Sequence, residues 1–167
     1  MYHIGILLFN ISETKALLPT LQKLAAHADK YQISIIAAGY PALTIIPKKL
    51  RRHCKKSLII EDYLGQLSDN NMYFNTKYLE DILQKLQSCD LVISGGKAII
   101  QQQILQRLPP NQHKVIFFDL FYPIKSIKKL ARFAKTLIFT DYKSFNDAKN
   151  KIDNKSKKII CSIIPFE

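Results

Sequence analysis

Acidic residues are scarce in this chain: 13 Asp and Glu stand against 25 Lys and Arg over 167 residues, a formal net charge of +12. That bias disfavours cationic partners and favours a polyanion, whether nucleic acid, an acidic membrane face or a phosphorylated ligand. Cysteine is scarce as well. Cys54, Cys89 and Cys161 are odd in number and widely separated, with no Cys-x-x-Cys or His-x-x-x-His spacing to gather zinc, so free, reduced, mostly buried thiols are expected. Long apolar runs are missing. The amino terminus has no cationic start and its apolar run breaks at Asn10, which predicts neither a secretory signal nor a membrane span and places the protein in the cytoplasm. The glycine-rich nucleotide signatures are missing too. No Gly-x-Gly-x-x-Gly follows the first apolar run, and Gly96-Lys97 continues into Ala98 without the earlier glycine of a P-loop. The first run ends Phe9-Asn10 and not in acidic residues, which excludes a phosphoacceptor receiver domain. None of the four histidines is paired by spacing with a Ser or Cys nucleophile. No cofactor and no metal is expected on these grounds.

What is present is a rhythm. Short apolar runs at 2–9, 33–38, 58–60, 91–93, 115–118, 137–139 and 159–164 alternate with helix-length amphipathic stretches. Parallel strands need a crossover helix between them, so this alternation predicts an α/β fold. The expectation is a single Rossmann-like domain over residues 1–167 with a mostly parallel sheet of six or seven strands, order 3-2-1-4-5-6, and helices on both faces. Asn10 and Glu13 have the spacing of a capping box for the first helix, while Pro19 predicts a kink or a late start. The polar stretch 62–75 is long for a connection and is a candidate lid. Lys48, Lys49, Arg51, Arg52, Lys55 and Lys56 follow Pro47 as the outer surface of a short helix whose inner stripe is Leu50 and Cys54. They are candidates for docking on an anionic surface: an acidic membrane, with the protein peripheral on it, or a lipid-linked phosphate. A second basic helix turns Lys125, Lys128, Lys129, Arg132 and Lys135 outward.

In open α/β sheets, ligands bind beyond the carboxyl ends of the strands, where the strand order reverses. For the predicted order, the loops facing that point are Asn10-Ile11-Ser12-Glu13 and Ser94-Gly95-Gly96-Lys97. Asn10, Ser12, Ser94, Gly95, Gly96 and Lys97 are therefore the candidate ligand-binding residues. The two glycines allow close approach to the backbone, and a helix start with Lys97 suits an anion. The competing reading of Gly95-Gly96 is a tight strand-to-helix turn and nothing more.

The runs Ser88-Cys89-Asp90-Leu91-Val92-Ile93-Ser94-Gly95-Gly96, Lys114 through Asp119 to Pro123, Thr136 through Asp141, and Lys158 through Pro165 resemble the amino-terminal, acceptor-side domain of GT-B glycosyltransferases. Residues 13–39 are more loosely similar to the opening of nucleotide-sugar 2-epimerases, which share the fold. The resemblance implies the acceptor-binding half of a transferase, with a carboxyl-terminal sugar-nucleotide domain following Pro165. The sequence given stops where that domain would begin, so the donor half is expected on a partner protein or as a missing domain, as in N-acetylglucosaminyltransferases split into two chains. Many of these enzymes carry a histidine base in the first strand-to-helix loop. Here Glu13 is the only ionisable residue in that loop, which makes Glu13 and Asp119 the candidate catalytic groups, as base or orienting group. Two other functions stay open: a non-catalytic Rossmann-like interaction module, and a basic nucleic-acid-binding domain. The last is third because no RNP-like aromatic strand or helix-turn-helix accompanies the charge.

Overall fold

The computed structural model describes residues 1–37, 45–47, 50, 76–96, 98–152 and 157–161. Within them the chain runs β1 (Tyr2–Leu8), α1 (Ile11–Ala26), β2 (Tyr31–Ala37), α2 (Thr76–Gln87), β3 (Leu91–Gly95), α3 (Ile99–Arg107), β4 (His113–Phe118), α4 (Ile124–Ala131), β5 (Thr136–Phe139), α5 (Tyr142–Lys151) and β6 (Lys158–Cys161). The six strands form one sheet in the order β2-β1-β3-β4-β5-β6, and every neighbouring pair is parallel. This is the expected Rossmann-like α/β architecture. The apolar run at 58–60, the outermost strand of the predicted order, lies outside the described residues, as do the candidate lid at 62–75 and residues 162–167.

The handedness of the crossovers decides which face each helix covers. From β1 the chain steps one way to β2, and its helix α1 packs Ala16, Leu17 and Leu21 against Ile4, Ile6 and Leu8. Among the described strands every later step runs the other way, and α2, α3, α4 and α5 share the opposite face, around Val92, Ile116, Phe118, Leu137 and Phe139. Both faces are apolar, which is why the strands read as near-continuous hydrophobic runs. The stripe Leu79, Ile82, Leu83 and Leu86 buries α2 as its spacing predicts. On α4, Ile127 and Leu130 are buried while Lys125, Lys128, Lys129, Arg132 and Lys135 of the helix and its end are all exposed.

Three local expectations change. Helix α1 starts directly at its Asn10 cap and continues through Pro19, so no late start occurs. Pro19 lies on the exposed side of the helix, and the carbonyl it leaves unpaired belongs to exposed Lys15, where water can take the place of the missing bond. The strand at the apolar run 115–118 starts two residues early, at His113, because pairing with Leu91 extends the ladder that far. His3 does meet nucleophile-type side chains: its Nε2 is 2.7 Å from Ser34 Oγ and 3.6 Å from Cys89 Sγ. Those partners are 31 and 86 residues away, beyond what local spacing reveals.

Close packing replaces side chains at Gly5, on the α2 face of β1. A Cβ there would lie 2.7 Å from Leu86 Cδ2 and 2.9 Å from Cys89 Sγ, both on buried residues. Gly5→Ala is therefore expected to lower stability by about 1–3 kcal/mol through overpacking, read as a shifted midpoint in denaturant with an unchanged slope.

Candidate functional site

Helices α1 and α3 leave neighbouring strands toward opposite faces of the sheet, because β1 and β3 are adjacent while their crossovers run in opposite directions. This is the switch point of the fold, and the Asn10 and Gly95-Gly96 turns open side by side on it. What fills it is a carboxyl group. Asn10 caps α1, its Oδ1 accepting the Glu13 N–H at 2.9 Å, and this fixes Glu13 at the third helical position. From there the Glu13 side chain turns inward. Its Oε2 accepts the Phe9 N–H at 3.0 Å and the Gln101 side-chain N–H at 3.0 Å, while Oε1 has no hydrogen-bond partner among the described residues. Gln101, at the start of α3, is held by its own turn, its Oε1 accepting the Ala98 N–H at 3.1 Å. Glu13 and Gln101 are both fully buried, so one hydrogen bond ties the two helix starts together across the switch point.

The glycine pair takes on separate jobs. A Cβ on Gly95 would overlap the Glu13 carboxyl, so Gly95 is the space that the carboxyl occupies. A Cβ on Gly96 would lie 2.6 Å from Leu130 Cδ1 and 3.3 Å from Ile116 Cγ2, so Gly96 lets α4 settle on the sheet. Ser94 is fully buried, its hydroxyl donating to the Gly95 carbonyl at 2.8 Å. Asn10 and Ser12 are half-buried at the rim. Lys97 lies outside the described residues. So do Lys48, Lys49, Arg51, Arg52, Lys55 and Lys56; of that segment the structure describes Pro47 and Leu50, the latter buried as its spacing predicts.

Asp119 reaches the same place from the end of β4. It is buried, its Oδ1 lies 3.4 Å from the Tyr122 hydroxyl, and its Oδ2 has no partner among the described residues. Tyr122 is held by its N–H donating to Ser144 Oγ at 3.1 Å and by an edge-on contact with Phe118. Burial, opposed by the Phe9 and Gln101 hydrogen bonds and reinforced by the negative charge of Asp119, raises the Glu13 pKa to about 7. Burial and the two carboxylates push the Tyr122 hydroxyl far up, keeping it protonated as a donor. The switch point thus holds two carboxyls with one unpartnered oxygen each and a protonated phenol. A phosphate placed here would be repelled by that charge, whereas hydroxyl or amine donors would be met by acceptor oxygens.

Local reading of the sequence brings Glu13, Asp119 and Gly95 to this point and misses Gln101 and Tyr122. A signal for Gln101 existed: a glutamine at the third position of the helix after a Gly-Gly turn is a capping residue. Tyr122 carries no comparable mark. Among the described residues no three His, Cys, Asp or Glu side chains converge as metal ligands, and no helix is long and apolar enough to cross a membrane.

The raised pKa makes Glu13 a source of pH-dependent stability with the sign opposite to a salt-bridged acid. The folded state binds its proton more tightly than the unfolded chain, so stability is greatest below about 4.5 and falls as pH rises to about 7. The loss attributable to this group is on the order of 3 kcal/mol. Glu13→Gln is expected to flatten that slope in denaturant titrations, and Gly95→Ala to be far less damaging on a Glu13→Ala background than alone. No protein-family model and no curated protein matches this sequence.

Proposed function

We propose that the switch point binds a hydroxyl-bearing, sugar-like acceptor, and that the chain is the acceptor half of a GT-B-like glycosyltransferase whose sugar-nucleotide half lies on another domain or chain. The observation that carries this reading is Glu13: a buried carboxyl with a free oxygen and a pKa of about 7 is poised to accept a proton near neutral pH. In this role Glu13 Oε1 takes the proton of the attacking acceptor hydroxyl as that oxygen bonds to the anomeric carbon of the donor sugar, while the bond from that carbon to the diphosphate oxygen breaks and the nucleoside diphosphate departs on the donor half. Asp119 Oδ2 accepts a second hydroxyl and fixes the acceptor's orientation, with Tyr122 holding the other Asp119 oxygen. Both carboxyls are covered at rest, so the acceptor must part the turn at Phe9–Ser12 from the turn at Gly95–Ala98 to reach them. The likeness of Ser88 through Pro165 to the acceptor-side domain of that superfamily supports the assignment.

The same burial favours a second reading, in which Glu13 is a structural tie between α1 and α3 and the chain is a non-catalytic interaction module. The two part on one experiment. Amide NMR of the protein titrated with N-acetylglucosamine is expected to shift resonances of Gly95, Ala98 and Gln101, with tighter binding as pH rises through 7, because the ionised Glu13 is the better acceptor for a sugar hydroxyl, and no such pH dependence in Glu13→Gln. An unperturbed spectrum at saturating sugar, together with a Glu13→Gln protein that is simply more stable at neutral pH, would establish the structural tie and sink the acceptor site. Uridine, guanosine and cytidine diphosphates are expected to raise the melting temperature little or not at all. Strong stabilisation by any of them would place a donor site on this half.

A further inference from the structure

The large apolar side chains exposed among the described residues are not scattered. Apart from Met1 and Tyr2 at the amino terminus, they are Ile11, Ile99, Leu120, Phe121 and Tyr142, each between 42% and 64% exposed. Ile11 is the first residue of α1, Ile99 of α3 and Tyr142 of α5, and Leu120 and Phe121 follow β4. All five therefore stand beyond the carboxyl ends of four adjacent strands, β1, β3, β4 and β5. Adjacent strands are about 4.8 Å apart, so the residues span roughly 14 Å across the carboxyl-end rim of the sheet.

Among the described residues the exposed charges in the first turns beside this row are basic. Lys125 and Lys143 are exposed in the first turns of α4 and α5, and the Lys143 ammonium lies 4.8 Å from the Phe121 ring centroid. The carboxylates on the described part of the rim are Glu13, Asp119 and Asp141. The first two are buried, and Asp141 caps α5 by accepting the Ser144 N–H at 2.7 Å. The starts of α1, α3, α4 and α5 also point their positive dipole ends this way.

We propose that this rim docks on an anionic lipid bilayer, with Ile11, Ile99, Leu120, Phe121 and Tyr142 entering the headgroup–acyl boundary and Lys125 and Lys143 meeting lipid phosphates. Exposed apolar side chains spread along one rim with lysines among them fit a deformable anionic surface and need no matching groove. Ile11, Ile99 and Leu120 offer nothing for a nucleobase to stack on, which disfavours single-stranded nucleic acid. A net charge of +12 opposes pairing two copies of a basic rim. The proposal holds whether or not the switch point binds an acceptor.

The chain contains no tryptophan, so Phe121→Trp supplies a single reporter. With vesicles of phosphatidylglycerol and phosphatidylcholine at low salt, its emission is expected to move to the blue and to be quenched by brominated acyl chains, with no change on pure phosphatidylcholine. Phe121→Ser combined with Tyr142→Ser, both at exposed positions, is expected to lower vesicle partitioning about tenfold or more while leaving the melting temperature near that of the parent. Absence of retention by anionic vesicles overturns the proposal. Retention without quenching also overturns it, because the protein is then docked by another basic surface. So does a blue-shifted, concentration-dependent signal without lipid, which marks a dimer, or stronger shielding by single-stranded RNA than by vesicles. Glu13→Gln is expected to keep full partitioning, so that failure here and failure of the acceptor site are read separately.

Discussion

The arrangement at the switch point depends on one buried carboxyl. In an open parallel sheet the two turns on either side of the reversal lead their helices to opposite faces, and nothing in the backbone ladder holds those helix starts together. Here Glu13 does so, accepting the Phe9 N–H from its own turn and the Gln101 N–H from the other, with Gly95 leaving room for it. A neutral side chain of the same shape could make similar bonds. Retaining an acid in that position keeps an unpartnered oxygen and a raised pKa, and both are unfavourable for stability. That unfavourable choice is the strongest physical ground for a role beyond packing.

Asp119 sharpens the point. Its negative charge adds to burial in holding the Glu13 carboxyl above the usual carboxylate range. Tyr122, kept protonated by the same surroundings, makes its long contact to one Asp119 oxygen and leaves the other free. The cluster therefore has donors and acceptors in unequal number, with acceptors in excess. A ligand that brings hydroxyl hydrogens would complete it, and a ligand that brings only negative charge would not. The positive bias of the chain is carried elsewhere, on exposed surfaces such as the outer face of α4.

How much of this was legible follows from the range of the forces involved. The parallel sheet, the adjacency of β1 and β3 and the inward stripes of α2 and α4 are written in local periodicity, because each strand and helix must bury its own apolar residues. The Asn10 cap, three residues from Glu13, was equally local. The destination of the Glu13 side chain was not. It is set by Gly95, 82 positions later, and by Gln101, 88 positions away, and no periodicity links them. The double glycine reads as a ligand contact from sequence, since it marks close approach without saying what approaches. In the folded chain the approaching groups are Glu13 at Gly95 and Leu130 at Gly96. His3 and Ser34 were hidden in the same way, being brought together by the pairing of β1 with β2.

The rim and the crevice share a cause. Because the six described strands are all parallel, the described helices that join them begin at the same edge of the sheet, and their first turns present side chains there. A helix start needs a cap and leaves the next positions unconstrained by the core, so residues such as Ile11, Ile99 and Tyr142 are free to serve a surface instead of the interior. The same edge also carries the charge-neutralising ends of the helix dipoles, which favours an acid such as Glu13 when it is ionised. Burial opposes that ionised form and, with the charge of Asp119, outweighs the hydrogen bonds from Phe9 and Gln101, as the upward pKa shows. Any change that lets water or a polar ligand into the switch point would restore part of the lost solvation and lower that pKa. Opening at the rim and proton release by Glu13 are in that sense one coupled event.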